Sequence, residues 1–201
     1  MCRLLILSYF VIISFTYSIA QDNNIESQPI DSILSWMQEN YTKDSNDFHQ
    51  IGLRTIAKSQ RGGDLILMGN LHEALASWHG YHGLTIQDSL LYHDYKSLDY
   101  FQKANDQTSV ARIYASLSID LLNAGDLEKS QEATFNAIEI YEKLGDEDGL
   151  ANCHRSLTYL FNDLGDFQKS IDYGQKAYDY YKKVKDYDRI CLLYTSPSPR
   201  D

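Results

Sequence analysis

The sequence of 201 residues contains few cysteines, few prolines and no excess of basic residues. Cys2 and Cys191 lie close to the two ends, so Cys153 has no partner for a disulfide in the central part of the chain. Lysine and arginine number 18 against 28 aspartates and glutamates, which gives a net charge of −10. A chain with this charge repels the phosphate backbone of nucleic acids. We therefore expect a fold without disulfides and a partner that is not a nucleic acid.

Strand-like alternation of apolar and polar residues is also absent over any useful length, and no segment is of low complexity. The sequence has no glycine-rich phosphate loop, no nucleophile elbow and no pair of carboxylates with a plausible partner. We therefore expect an all-α protein that is not an enzyme, with no catalytic residue and no cofactor.

The first 20 residues have the pattern of a secretory signal peptide. A basic residue, Arg3, precedes an apolar run over residues 4–15, and the small residues Ser18 and Ala20 precede a cleavage point. The run is shorter than the roughly 20 residues that a membrane-spanning helix needs, and an uncleaved anchor is the alternative. We expect an exported protein, periplasmic or extracellular. Its attachment to a membrane would require an uncleaved signal peptide or a helix downstream of this sequence.

The central part of the chain repeats itself at an interval of 40 residues. Residues 124–130, Ala-Gly-Asp-Leu-Glu-Lys-Ser, return at 164–170 as Leu-Gly-Asp-Phe-Gln-Lys-Ser. A fixed period of this size indicates a stack of helical repeats. Apolar residues follow helical spacing on both sides of each Gly-Asp pair. We expect two antiparallel helix pairs in 107–187, with turns at Gly125-Asp126 and Gly165-Asp166.

The rest of the chain divides around these two units. A polar stretch ending at Pro29 indicates a flexible lead, and the helical spacing that follows is less regular than that of the later units. We expect a signal peptide at 1–20, a flexible lead at 21–30, degenerate N-terminal helical repeats at 31–105, two repeat units at 106–187, and a truncated repeat start with a non-native tail at 188–201.

Residues 191–201 resemble a translated sequencing adapter, and two prolines in this tail would stop a helix that begins near Ile190. We therefore expect the chain to break off as the next repeat begins. In a helical stack each unit covers its neighbour, and such a tail should leave the last unit uncovered. Tyr178, Tyr181 and Val184 should then be more exposed than their counterparts one unit earlier, Ile138, Tyr141 and Leu144.

Both units contain the same set of residues. A leucine and a small residue lie on the first helix, a Gly-Asp turn follows, and another small residue lies on the second helix. They are Leu117, Ser118, Gly125, Asp126 and Ala137, then Leu157, Thr158, Gly165, Asp166 and Ala177. In this arrangement the units resemble tetratricopeptide repeats, although the period is longer than the common one of about 34 residues and the closing proline is missing.

The resemblance implies a right-handed superhelix of stacked helix pairs, an α-solenoid, whose concave face binds peptides or other protein segments. A signal peptide followed by such repeats is similar to the exported sensor portion of bacterial signalling proteins. The expectation is a non-catalytic protein-interaction domain, the periplasmic input part of a longer signal-transduction protein. Two alternatives stay open: the repeat region of an exported enzyme whose catalytic domain is missing, and a stand-alone secreted adaptor.

In the fold that the resemblance implies, first-helix residues away from the packing face line the concave groove. Among them are two arginines, whose guanidinium groups can hold a carboxylate with two hydrogen bonds, and asparagines that can bind a peptide backbone. A solvated groove with local ion pairs is the alternative. The candidates are Arg112, Ser116, Asn123, Asn152, Arg155, Tyr159 and Asn162.

Three histidines, His72, His79 and His82, lie on one expected helix and raise the question of a metal site. Two ligands on a helix reach one ion when they are three or four residues apart, and only His79 and His82 meet this condition. No carboxylate lies at a matching spacing. We therefore expect surface or half-buried histidines and no metal, and we expect His154 to be a core histidine.

Overall fold

The computed structural model describes residues 25, 28–42, 46–82 and 87–194, and the described part is all-α, without a strand. Most of the expected signal peptide and lead, and the tail from residue 195, lie outside the described residues. Within the described ranges, no helix has both the length and the apolar character needed to cross a membrane. The helices are α1 (Ile30–Asn40), α2 (Asn46–Ser59), α3 (Leu65–His82), α4 (Gln87–Lys103), α5 (Gln107–Asn123), α6 (Leu127–Leu144), α7 (Glu147–Asp163), α8 (Phe167–Val184) and α9 (Tyr187–Tyr194).

An aspartate precedes each of the helices α5 to α8, at steps of 20 residues. The carboxylates of Asp106, Asp126, Asp146 and Asp166 each accept a hydrogen bond from the backbone N–H three residues later, at 3.0–3.2 Å. Such caps satisfy a backbone donor that has no partner inside the helix, and their negative charge suits the positive end of the helix dipole. These caps fix where each helix begins.

The two expected turns are confirmed. Gly125 and Gly165 adopt positive φ values of +80° and +74°, and each lies between two helices that pack against each other. Glycine reaches this conformation without the steric cost that a Cβ atom imposes. The 40-residue repeat therefore corresponds to two helix pairs, α5 with α6 and α7 with α8.

Small residues lie where the two helices of a pair cross. Ala111 and Ala137 are fully buried in one pair, and Ala151 and Ala177 are buried at the same positions of the next. The other expected structural residues also lie inside: Leu117, Ser118 and Leu157 are buried, and Thr158 is half-buried. Successive pairs then stack in chain order, since α6 packs on α7 and α5 contacts α7.

Helices α3 and α4 form a helix pair of the same kind in the region expected to hold degenerate repeats. The Ser97 hydroxyl donates to the backbone oxygen of Gly69 at 3.0 Å, and the Phe101 ring packs where a side chain at Gly69 would lie. Helices α1 and α2 cover the other side of α3 through an apolar core that includes Met37 and Phe48. Ile25, in the segment expected to be a flexible lead, is buried at the edge of this core.

The expected exposure of the last unit is wrong. Tyr181 is 0% exposed and Tyr141 is 6% exposed, because α9 packs Ile190 and Leu193 onto the cluster that contains Tyr181. The beginning of α8 is different, since Phe167 stays 63% exposed. Residues 187–194 therefore act as a covering helix for the second half of α8.

Candidate functional site

Helix α5 presents one exposed face in the middle of the stack. Arg112, Ser116, Ile119 and Asn123 are all exposed and follow one another at intervals of four, three and four residues, which places them on one side of the helix. This face contains three of the groove candidates from the sequence. These three are the groove candidates whose side chains are exposed, since the four on α7 are half-buried or buried.

Arg112, at one end of this face, is already engaged. Its guanidinium forms an ion pair with Glu73 of α3, lies within hydrogen-bond distance of Ser109 at 3.3 Å and sits over the Phe101 ring. Arg112 therefore joins two helix pairs, and a ligand carboxylate would have to compete with Glu73 for it.

The corresponding candidates on α7 are covered by the chain itself. Asn152 donates to Asp148 at 3.2 Å and accepts a hydrogen bond from the Tyr181 hydroxyl at 3.0 Å. The Tyr159 hydroxyl donates to the backbone oxygen of Leu192 in α9 at 2.8 Å. Asn162 is half-buried. Helix α9 thus contacts Tyr159, and Tyr181 of α8 contacts Asn152, two residues that the sequence assigned to a ligand.

Arg155 is less exposed than an open anchor in the groove would be. It is half-buried, its guanidinium lies near the Tyr181 hydroxyl, and its Nε is buried without a partner among the described residues. Burial raises the pKa of Tyr181, and the Arg155 guanidinium opposes that rise. Sequence spacing could not show this contact, because Tyr181 comes from the second helix of the pair.

Three histidines from three different helices meet at the N-terminal end of the stack. His49 of α2, His79 of α3 and His93 of α4 each offer a ligand atom, and these atoms lie within 4.8 Å of one another. Sequence spacing does not reveal this cluster, because spacing along one helix says nothing about neighbouring helices. The available signal was the concentration of five of the six histidines between residues 49 and 93.

The imidazole of His79 lacks the hydrogen bonds that a buried polar group needs. The residue is 4% exposed, and both of its ring nitrogens are buried without a partner among the described residues. A buried donor or acceptor left in this state costs about 1–3 kcal/mol. Native proteins rarely leave such groups unsatisfied, and each one calls for an explanation.

The rings around His79 are held by aromatic contacts and by one hydrogen bond. His49 is half-exposed and stacks on Trp78 with the ring centroids 5.6 Å apart. The Nδ1 atoms of His72 and His93 lie 2.8 Å apart, so one donates to the other. This bond uses one nitrogen of the His93 ring and leaves Nε2 available.

Burial keeps these imidazoles neutral. Desolvation lowers the pKa of His72 and of His79 to about 4 and that of His93 to about 3. The pKa of His49 is also lowered by burial. Neutral imidazole is the form of histidine that binds metal ions.

Two other buried groups have shifted acidities. Burial raises the pKa of the Cys153 thiol to about 12, so this thiol keeps its proton at neutral pH. Burial and the neighbouring Asp120 raise the pKa of Asp94, so this carboxyl group keeps its proton at neutral pH. A neutral Asp94 can donate a hydrogen bond to Asp120 and join α4 to α5.

Comparisons with known proteins support the fold and leave the family open. No family model matches the chain, and no curated protein matches it. Among solved structures, the crystal structure of BtubC (BKLC) from P. vanneervenii is similar, with a TM-score of 0.64 and 15% sequence identity. The match covers 96% of this chain and 92% of that protein. An identity this low shows a shared fold alone, so the chain is an all-α protein with the helical arrangement of that structure.

Proposed function

We propose that this chain is a non-catalytic protein-binding module of tetratricopeptide type, in which a peptide or protein segment lies along α5. The supporting observation is the exposed face of that helix. Ile119, which is 40% exposed, lies between the polar side chains of Ser116 and Asn123. Hydroxyl and amide groups can donate to and accept from a peptide backbone, and the apolar side chain between them can pack against a ligand residue.

The charges on the protein favour a neutral or basic partner segment. The net charge is −10, and oppositely charged surfaces attract each other during encounter. The two arginines that could have held an acidic segment are engaged, Arg112 with Glu73 and Arg155 with Tyr181. An acidic peptide would have to displace these contacts.

The proposed cellular role rests on the N-terminal pattern and on the resemblance to the exported sensor portion of bacterial signalling proteins. Residues 1–20 support export, so the module is periplasmic or extracellular, and it serves as the input part of a longer signal-transduction protein. The stacked helix pairs present the partner-binding surface, and the chemistry of signalling belongs to another part of that protein.

A displayed peptide library tests the binding proposal. Peptides selected on the folded chain are titrated against the wild-type protein and against Ile119→Glu, and the substitution should weaken binding at least about tenfold, or 1.4 kcal/mol. Phe135→Glu is the matched control, since Phe135 is 41% exposed on α6, outside the proposed face. Binders with equal affinity for the wild type and Ile119→Glu, or a library that yields no binder, would overturn the proposal.

A further inference from the structure

The stack contains three helix pairs of the same kind, and we number them in chain order: α3 with α4, α5 with α6, and α7 with α8. The histidines of the first pair occupy positions that the later pairs fill with mostly apolar residues. His72 and His79 are the eighth and fifteenth residues of α3, and His93 is the seventh residue of α4. The equivalent residues are Tyr114, Leu121 and Ala133 in α5 and α6, and His154, Phe161 and Tyr173 in α7 and α8.

Packing alone does not require imidazoles at these positions. In the second pair, Leu121 and Ala133 belong to one apolar cluster, against which Tyr114 packs. In the third pair, the rings of Phe161 and Tyr173 stack with their centroids 5.5 Å apart. The first pair instead buries three imidazoles, and a fourth, His49, comes from the preceding helix α2. At the positions of His79 and His93, neither of the later pairs has a histidine.

We infer that His49, His79 and His93 bind a divalent transition-metal ion, with Zn²⁺ as the expected occupant. Imidazole nitrogen suits zinc, copper and nickel, and three histidines with an open fourth position form a common zinc site. The site would satisfy a ring nitrogen of His79 that has no other partner among the described residues.

The geometry needs a small adjustment to receive the ion. The three ligand atoms lie within 4.8 Å of one another. Zinc–nitrogen bonds of about 2.0–2.1 Å in a tetrahedral site place the nitrogens about 3.4 Å apart. The imidazole rings, above all that of the half-exposed His49, would rotate to close this difference when the ion binds. His49 also leaves the site reachable from solvent, so the fourth position can hold water.

His72 acts through His93 as a positioning residue. Its Nδ1 lies 2.8 Å from Nδ1 of His93, and a hydrogen bond of this kind fixes the orientation and tautomer of a ligating imidazole. The Tyr100 ring stacks on His72 at 5.6 Å between centroids and holds it in place. His72 thus has the role of an outer partner that tunes the site.

Titration of the tag-free full chain with Zn²⁺, after dialysis against a chelator, measures the stoichiometry and affinity by calorimetry. Co²⁺ is a second probe, because its visible absorption reports tetrahedral coordination. We expect one ion per chain. His49→Gln and His79→Gln should each lose more affinity than the roughly 10–100-fold that removal of an outer partner costs, and His72→Gln should fall within that range.

His82→Gln is the matched control. It is the same substitution on the same helix, three residues after His79, and its ring also contacts Trp78. It should keep the affinity of the wild type. Circular dichroism checks the fold of each variant, and the half-exposed His49 gives a substitution that the core tolerates if His79→Gln fails to fold. No uptake of Zn²⁺ by the wild type, or wild-type affinity in His49→Gln, would overturn the inference.

Discussion

The Ser130 hydroxyl donates a hydrogen bond to the backbone oxygen of Ser118 at 2.7 Å, and Ser170 makes the same contact with Thr158 at 2.9 Å. Both bonds cross from the second helix of a pair to the first. They hold the two backbones so close that only a small side chain fits further along the crossing, where Ala137 is fully buried. Hydrogen bonds and small residues together set the distance between the paired helices.

Ala137→Leu should overpack this crossing. Added methylene groups in a well-packed core cost about 1–3 kcal/mol, because neighbouring side chains and backbone must shift. Urea unfolding measures the change in the free energy of unfolding. Glu139→Leu on the exposed side of the same helix is the control and should change it by about 0.5 kcal/mol or less. Equal midpoints for Ala137→Leu and the wild type would contradict the close crossing.

Lys185→Gly should stabilise the protein. Lys185 ends α8 with φ at +60°, and Gly145 ends α6 in the same left-handed conformation with φ at +70°. A residue with a Cβ atom pays about 1–2 kcal/mol there, and glycine avoids this cost. Because glycine also has more freedom in the unfolded chain, we expect a net gain of up to about 1 kcal/mol.

Thermal and urea unfolding of Lys185→Gly measure this gain. The reverse change, Gly145→Lys, should destabilise by a similar amount, since nothing lies within 4 Å of a Cβ atom added at Gly145 and the effect is confined to the backbone. Asn105→Gly, with φ at +56°, should gain less because asparagine tolerates this region. A lower midpoint for Lys185→Gly would argue against a left-handed cap.

Cys153 should resist alkylation in the folded protein. Only the thiolate reacts, and burial raises the pKa of this thiol to about 12, so at pH 8 almost none is ionised. Cys191 is exposed and should react first. Mass spectrometry of peptides after timed treatment with iodoacetamide separates the two residues. Fast labelling of Cys153 in buffer, at a rate close to that in urea, would contradict its burial.

The sequence predicts the helix pairs well because each boundary depends on local chemistry. The aspartate cap at Asp126 and the left-handed glycine at Gly125 indicate a helix boundary without any knowledge of the surrounding structure. The 40-residue repeat then predicts the same boundary in the next pair. The covering of Tyr181 by α9 was not predicted. That contact depends on how residues 187–194 pack. Because the tail from residue 191 resembles an adapter, the sequence did not indicate a covering helix there.

The site residues were harder to predict because they depend on contacts between helices. Ser116 and Asn123 follow from spacing along α5 alone, and both are exposed. The partner of Arg155 comes from another helix, and the histidine cluster draws on three. A helical period shows which residues share a face, and it does not show which faces meet. Packing of α2, α3 and α4 brings His49, His79 and His93 together.

The capping aspartates differ in the cations that lie near them. Successive helices run in opposite directions, so the caps alternate between the two edges of the stack. Asp126 and Asp166, on one edge, each pair with a lysine three residues later, at 2.7 and 2.9 Å. Asp106 and Asp146, on the opposite edge, are followed at that position by an uncharged residue. On that edge Asp186, the cap of α9, pairs with Arg189 at 2.6 Å, and Lys103 and Lys143 lie in the last turns of the helices that precede Asp106 and Asp146. The charges of Asp126 and Asp166 are therefore balanced within their own turn, whereas the nearest cations in sequence to Asp106 and Asp146 belong to the preceding helix.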